Sequence, residues 1–320
     1  MRRPVCVTGA VLLKQPNNTT PQASSRHGVG AAGRAGDANV SGVLMRAPFP
    51  LAVLTAVGLF VTVAVGPLRA ATILVYHSFG VRSSMSMSVE AFEAQLDFLD
   101  RSGYKVISIE DLTRSLDARQ NPPEKAVVLA IDDGWSSFMR VFPILAKRNL
   151  PFTLFLPMAF VANPYSKSTL SQADIETLRA YPKATFANHS WLHSPKVAGN
   201  ETLALEDIRK SVERFRQVFG RDTKYFAFPY GKVTATYTRL LREAGFQYLF
   251  VTGSNPPTAD TDPSAIPRIA ANRLSLPVLA SVLRNHEAML ARAKARPTPP
   301  AGGPLLTETN VRANVPTLME

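Results

Sequence analysis

Short apolar runs alternate with amphipathic helical segments along most of this chain, and that alternation restricts its fold more than any other feature. Runs of strand length occur at 72–76, 106–109, 127–131, 152–156, 185–188, 225–228 and 248–251. Helical segments separate them. Ser88 is placed to cap a helix whose Phe92, Leu96 and Leu99 share one face, and Gly103 ends it. A second helix spans about 137–148, where Pro143 implies a kink or a late start. Others lie near 171–180, 205–219 (with Ile208, Val212, Phe215 and Phe219 on one face) and 237–244. Apolar runs without alternation suit strands buried on both faces, and βα repetition suits a parallel sheet with helices outside. Seven runs fit a distorted or incomplete (β/α) barrel of about seven parallel strands in a single domain.

Composition agrees with a folded core. Of the 320 residues 46% are apolar and 19% charged, which excludes wholesale disorder. Half of the formal net charge of +12 falls in residues 1–70, which hold seven Lys/Arg and one acid. Beyond them the charges are interspersed, and no Lys/Arg block interleaves with aromatics. Nucleic acid is therefore not an expected partner. Cys6 is the only cysteine, so an intrachain disulfide and a thiolate metal site are both excluded.

The N-terminal pattern points to export. Met45-Arg46 precedes an apolar stretch, 47–66, and then Pro67-Leu68-Arg69-Ala70-Ala71. A basic start, a long apolar region and small residues make a signal peptide cleaved near Ala70. The stretch is also nearly long enough to span a bilayer, so an uncleaved anchor is the alternative. The expected partition is a disordered or untranslated extension at 1–44, signal peptide or membrane anchor at 45–70, catalytic domain at 71–290 and mobile tail at 291–320. The expected location is periplasmic or secreted, or inner-membrane anchored if the leader stays. Membrane contact is expected only through that segment.

Two short segments carry metal-capable side chains at strand ends. Asp132-Asp133-Gly134 closes the run 127–131, and His189-Ser190-Trp191-Leu192-His193 follows 185–188. Strand exits are where α/β proteins keep their chemistry. On extended backbone the two aspartates point in opposite directions. Asp-Gly is also a common turn pair. The histidines are four apart, a spacing that a helix face or a tight loop brings together. Two imidazoles and two carboxylates are enough for a three-ligand divalent metal site with one carboxylate to spare. His77 closes the first run, and Pro229-Tyr230 closes another after Phe228. Arg268 stands among apolar neighbours, and His286 reads as a solvated residue of a late helix.

In order and placement these residues resemble the NodB-homology polysaccharide deacetylases, carbohydrate esterase family four. Ala130-Ile131-Asp132-Asp133-Gly134 matches the family's Thr-Phe-Asp-Asp-Gly motif, and His189 to His193 matches its His-[Ser/Thr]-x-x-His motif. Ala227-Phe228-Pro229-Tyr230 matches its Arg-x-Pro-Tyr motif in part, with Ala227 in place of arginine. The resemblance covers roughly 72–275. Within the family the chain is most similar to exported poly-β-1,6-N-acetylglucosamine deacetylases of biofilm systems. Tyr76-His77, Phe142-Pro143-Ile144-Leu145 and Phe226 to Gly231 carry that likeness.

The resemblance implies a hydrolase that removes N-acetyl groups from an exported or cell-wall polysaccharide and releases acetate. It implies a divalent metal, zinc, held by Asp133, His189 and His193, with Asp132 as general base and His77 as general acid. Tyr230 and Pro229 would border the oxyanion, and Phe228, Trp191 and Trp135 would line a sugar groove. Arg268 is the candidate to replace the missing motif-three arginine in orienting Asp132. Two other functions fit the same residues: a catalytically inactive glycan-binding module, and a hydrolase of a non-glycan amide or ester.

Overall fold

The computed structural model describes residues 71–295, all within one compact unit. The expected extension, leader and most of the tail, with Cys6, lie outside the described residues. Seven parallel strands form a closed barrel: β1 (Ala71–Tyr76), β2 (Ala126–Asp132), β3 (Phe152–Leu156), β4 (Ala184–Asn188), β5 (Tyr225–Ala227), β6 (Tyr248–Thr252) and β7 (Ile266–Ala270). Each pairs with the next, and β7 pairs back to β1 through Leu74↔Ile269 and Val75↔Ala270. The expected barrel is therefore present, and it is closed.

The strand count agrees with the sequence, but one member differs. The run 106–109 does not join the ring. Lys105–Val106 is an edge strand outside it, paired to β2. The helix α2 (Ile109–Asp117) starts where that strand was expected to end, because the Ser108 side chain accepts the Asp111 amide as an N-cap. The true seventh strand, β7, contains Pro267 and Arg268, which broke its apolar pattern.

The remaining helices are α1 (Val89–Arg101), α3 (Phe142–Lys147), α4 (Gln172–Arg179), α5 (Glu201–Phe219), α6 (Ala235–Glu243) and α7 (Leu276–Ala295). Ser88 caps α1 as expected. Pro143 sits in the first turn of α3, the late start its missing N–H requires. The helix α7 runs five residues into the expected tail.

Alternation along the strands divides the core. Leu74, Tyr76, Leu129, Ile131, Leu154 and Leu156 face outward against Phe92, Leu96, Leu99, Leu145 and Ile175. Ile73, Val75, Val128, Ala130, Phe155, Ala187, Ala227 and Phe250 face inward, in one cluster with Ile109, Leu112 and Leu116 of α2. Full burial of each large apolar side chain contributes about 1.5–3 kcal/mol. Because α2 occupies the N-terminal end of the barrel, the C-terminal end is the open one.

Candidate active site

The open end holds a cavity of about 310 Å³ lined by His77, Asp132, Asp133, His189, His193, Phe228, Tyr230 and Arg268, with Met85, Thr252 and Arg273 also in its wall. His77 follows β1, Asp132 ends β2, His189 follows β4 and Arg268 lies in β7. Four separate strands thus deliver one constellation.

Asp132 is buried, and Arg268 grips it with two parallel bonds. Nη1 donates to Oδ1 at 2.8 Å and Nη2 to Oδ2 at 2.9 Å. The guanidinium also lies over the Phe155 ring, 4.7 Å from its centroid. Arg268, 136 residues away in sequence, therefore contacts Asp132 directly although Ala227 stands at the motif-three position.

Asp133 adopts left-handed backbone, φ 71°, so the two aspartates are not opposed as an extended chain would place them. Both reach the same imidazole: His189 Nε2 is 3.7 Å from Asp132 Oδ2 and 3.7 Å from Asp133 Oδ1. His193 Nε2 is 3.3 Å from Asp133 Oδ1. Ligand atoms of Asp133, His189 and His193 lie within 4.8 Å of one another. The spacing of the two histidines is realised by a loop, with Ser190 at φ 72° and His193 at φ 52°.

These donors fit a divalent ion on two observations. Asp133 Oδ1 is buried with no hydrogen-bond partner. His189 Nδ1 lies 2.7 Å from the Ala227 carbonyl. A carbonyl can only accept, so Nδ1 carries the proton and Nε2 presents its lone pair to the cluster. Burial pushes the His189 imidazole down to about 4, against the pull of Asp132, which keeps it neutral as a ligand must be.

Residues 119–249 match the sequence profile of the family described as polysaccharide deacetylase. Over those residues the chain is similar to the polysaccharide deacetylases, which are hydrolases. Over 195 residues it is 23% identical to the poly-beta-1,6-N-acetyl-D-glucosamine N-deacetylase of Staphylococcus epidermidis, covering 58% of this chain and 67% of that one. Over 233 residues it is 26% identical to the Escherichia coli protein of the same name, covering 60% of this chain but only 34% of the relative. The solved structure of IcaB from Ammonifex degensii superposes with a TM-score of 0.60 at 27% identity, covering 68% of this chain and 97% of that one. The deacetylase PplD of Streptococcus pyogenes, in complex with acetate, superposes at 0.61 with 20% identity over 68% of this chain and 99% of that one, a likeness of fold.

Within the cavity, burial pushes the Asp132 carboxyl up, and Arg268, His189 and His77 together bring it down to about 2. The two bonds from Arg268 favour its anionic form. His77 lines the cavity with Nδ1 buried and unpartnered. The Tyr230 ring lies 4.5 Å from that of His193, largely exposed, on left-handed backbone at φ 56°. Phe228 touches the cavity but is fully buried, with its ring packed against Phe226 and Tyr237. Trp191 is half-buried against the core and is not in the cavity wall. Trp135 instead donates its indole N–H to Asp133 Oδ2 at 3.1 Å.

Sequence reasoning missed Met85, Thr252 and Arg273 in the wall, and Asp207 beneath the histidine loop. One signal was there for Asp207. It stands on the same helix face as Ala204, Ile208 and Ser211, a charge on an apolar stripe. His286 is corrected outright: it is buried, with Nδ1 2.8 Å from Thr72 Oγ1 and Nε2 2.7 Å from the Ser254 carbonyl.

Proposed function

We propose that the protein removes N-acetyl groups from an exported N-acetylglucosamine polymer by metal-dependent hydrolysis. The observation that carries this reading is the set of Asp133, His189 and His193 ligand atoms beside an aspartate clamped by arginine. The Staphylococcus epidermidis and Escherichia coli relatives bear the name poly-beta-1,6-N-acetyl-D-glucosamine N-deacetylase, which supports the substrate. The pattern from Met45 to Ala71 supports export to the periplasm or beyond.

Asp133, His189 and His193 would hold the ion, zinc by its two-imidazole, one-carboxylate donor set. A divalent ion bound there supplies Lewis acidity, which makes water a competent nucleophile near neutral pH and polarises the acetyl carbonyl. Asp132 accepts the proton of the attacking water. Arg268 donates to both carboxylate oxygens, which fixes the orientation of the carboxylate toward the water. His77 donates a proton to the departing amine from a separate strand end. An amine is a poor leaving group, so this proton matters more for an amide than for an ester. Tyr230 and Pro229 border the acetyl group, and the exposed Tyr230 ring offers a face to the sugar.

The test is acetate release from β-1,6-linked and β-1,4-linked N-acetylglucosamine oligomers, with and without chelator. Release from the β-1,6 series that chelation stops and Zn²⁺ restores is expected. Release that survives complete metal removal would sink the metal reading. Faster release from the β-1,4 series would reassign the substrate. Recovery of the native protein, leader uncleaved, from the soluble cytoplasm would refute export.

A further inference from the structure

We propose that Asp207 is a positioning residue that presents His189 and His193 together to the bound ion, an inference that rests on the metal reading above. The loop between the two histidines makes no regular structure, and two of its non-glycine residues, Ser190 and His193, are left-handed. Such backbone costs on the order of 1–3 kcal/mol per residue and persists only where its surroundings impose it. Here side-chain oxygens impose it. Asn188 Oδ1 accepts the Ser190 amide at 2.9 Å, and Ser190 Oγ accepts the His193 amide at 2.9 Å. The two amides between them, Trp191 and Leu192, both donate to Asp207, at 3.0 Å to Oδ1 and 3.1 Å to Oδ2. Every backbone N–H from Ser190 to His193 is thus held by a side chain, and half of them by this one carboxylate.

Asp207 lies on the buried face of α5, 5% exposed. Burial pushes its carboxyl up from the ordinary value, against the two amide donors. At this reach from the helix the carboxylate supplies one acceptor oxygen to each of the two amides, at a fixed separation. Asparagine offers one, and turns an NH₂ toward the second amide. With that amide unpaired the loop relaxes, and the distance between His189 and His193 is no longer set. Because α5 is packed against the barrel wall, Asp207 ties the histidine loop to the rigid scaffold rather than to solvent.

The experiment compares Zn²⁺ affinity, by competition with a chromogenic chelator, for the parent and for Asp207→Asn. The visible absorption of the Co²⁺-loaded proteins is recorded beside it. Far-ultraviolet circular dichroism of the metal-free proteins checks the fold. Asp207→Asn should fold, bind Zn²⁺ about 10–100-fold more weakly, and shift the Co²⁺ bands, because ligand geometry has changed. Should that variant not fold, Asp207→Ser, which removes charge and volume but keeps one acceptor, is read in the same way. A folded variant with the parent's affinity and the parent's Co²⁺ spectrum overturns the proposal. A parent that binds no divalent ion overturns the metal reading and this inference with it.

Discussion

The two ends of the barrel are built from the same kinds of side chain and arranged to opposite purpose. At the N-terminal end α2 lies across the strands, and its polar residues find neutral partners. Thr113 meets the Tyr225 hydroxyl, the Tyr248 hydroxyl donates to Asp117, and the Thr185 hydroxyl donates to Glu110. Ile109, Leu112 and Leu116 fill the space between. At the C-terminal end Asp133 Oδ1, His77 Nδ1 and Arg268 Nε are buried without partners. Asp133, Ser190, His193 and Tyr230 all hold left-handed backbone there. A carboxylate paired to a hydroxyl closes a structure, whereas a buried carboxylate oxygen facing two imidazoles makes a donor set that could hold a cation. What separates the plug from the site is that the plug's carboxylates, Glu110 and Asp117, each have a hydroxyl partner while Asp133 Oδ1 has none.

The largest effects should follow from removing the groups that carry protons or would hold the ion at the mouth. Asp132→Asn should keep its metal and lose about 10²–10⁴-fold in turnover, since an amide cannot take the proton of water. Asp133→Asn should lose metal instead. His77→Ala should keep metal and lose more on an N-acetyl than on an O-acetyl substrate. Elemental analysis beside turnover on matched substrates reads all three. If Asp132→Asn loses metal while Asp133→Asn retains it, the two roles are exchanged. A His77→Ala enzyme as active as the parent on the amide places the acid elsewhere.

Arg268 tests the buried pair. Removing one partner of such a pair costs about 3–5 kcal/mol. In the parent the Asp132 value in the folded state, about 2, lies below its unfolded value. Its stabilising contribution is therefore complete above the unfolded value and lost as pH falls toward 2. With Arg268→Met, burial acts on the carboxyl with less opposition and raises it. The acidic limb of the pH–rate profile should then move up, and the variant's loss of stability relative to the parent should be largest near neutral pH and shrink as pH falls. Arg268→Lys, which keeps the charge but not the two parallel bonds, should move both less. An unmoved acidic limb in Arg268→Met would separate Arg268 from the protonation of Asp132.

A smaller change at the same end is Trp135→Phe. The ring remains, but Asp133 Oδ2 loses its indole donor. Metal affinity should fall about 10-fold, the low end for a group that orients a ligand. Unchanged affinity would show that the left-handed backbone alone aims the carboxylate.

How much of this contrast was legible beforehand differs between the ends. The mouth announced itself, because Asp132, Asp133, His189 and His193 are adjacent in sequence to strands whose apolar runs are unmistakable. Of its supporting contacts, the one from Arg268 to Asp132, across 136 residues, was expected from the charge among apolar neighbours and the missing motif-three arginine, whereas Asp207 reaches the loop from a helix whose period shows chiefly an apolar face. The opposite directions expected of the two aspartates assumed extended backbone, which φ 71° at Asp133 replaces. The plug was not legible at all. Ser108 caps a helix, but the apolar pair on either side of it reads equally as a strand. His286, solvated by its neighbours in sequence, is buried by Thr72, 214 residues earlier. Local pattern finds elements and motifs, while the partners that satisfy or starve a polar group are set by the fold.

The smallest effect is predicted at the plug, and it is the one that can break the comparison. Tyr248→Phe removes a hydroxyl that donates to Asp117 and leaves the ring packed against Tyr225. Asp117 is exposed, so water replaces the lost donor and no charge is stranded. The loss should be about 0.5–1.5 kcal/mol, the ordinary net contribution of one hydrogen bond. Nothing at the mouth contacts this pair, so kcat, KM and metal affinity should match the parent. Urea unfolding beside steady-state rates makes the measurement. A stability loss with unchanged rates keeps the two ends independent. A variant that unfolds like the parent yet turns over several-fold more slowly would mean that the plug sets the geometry of the open end.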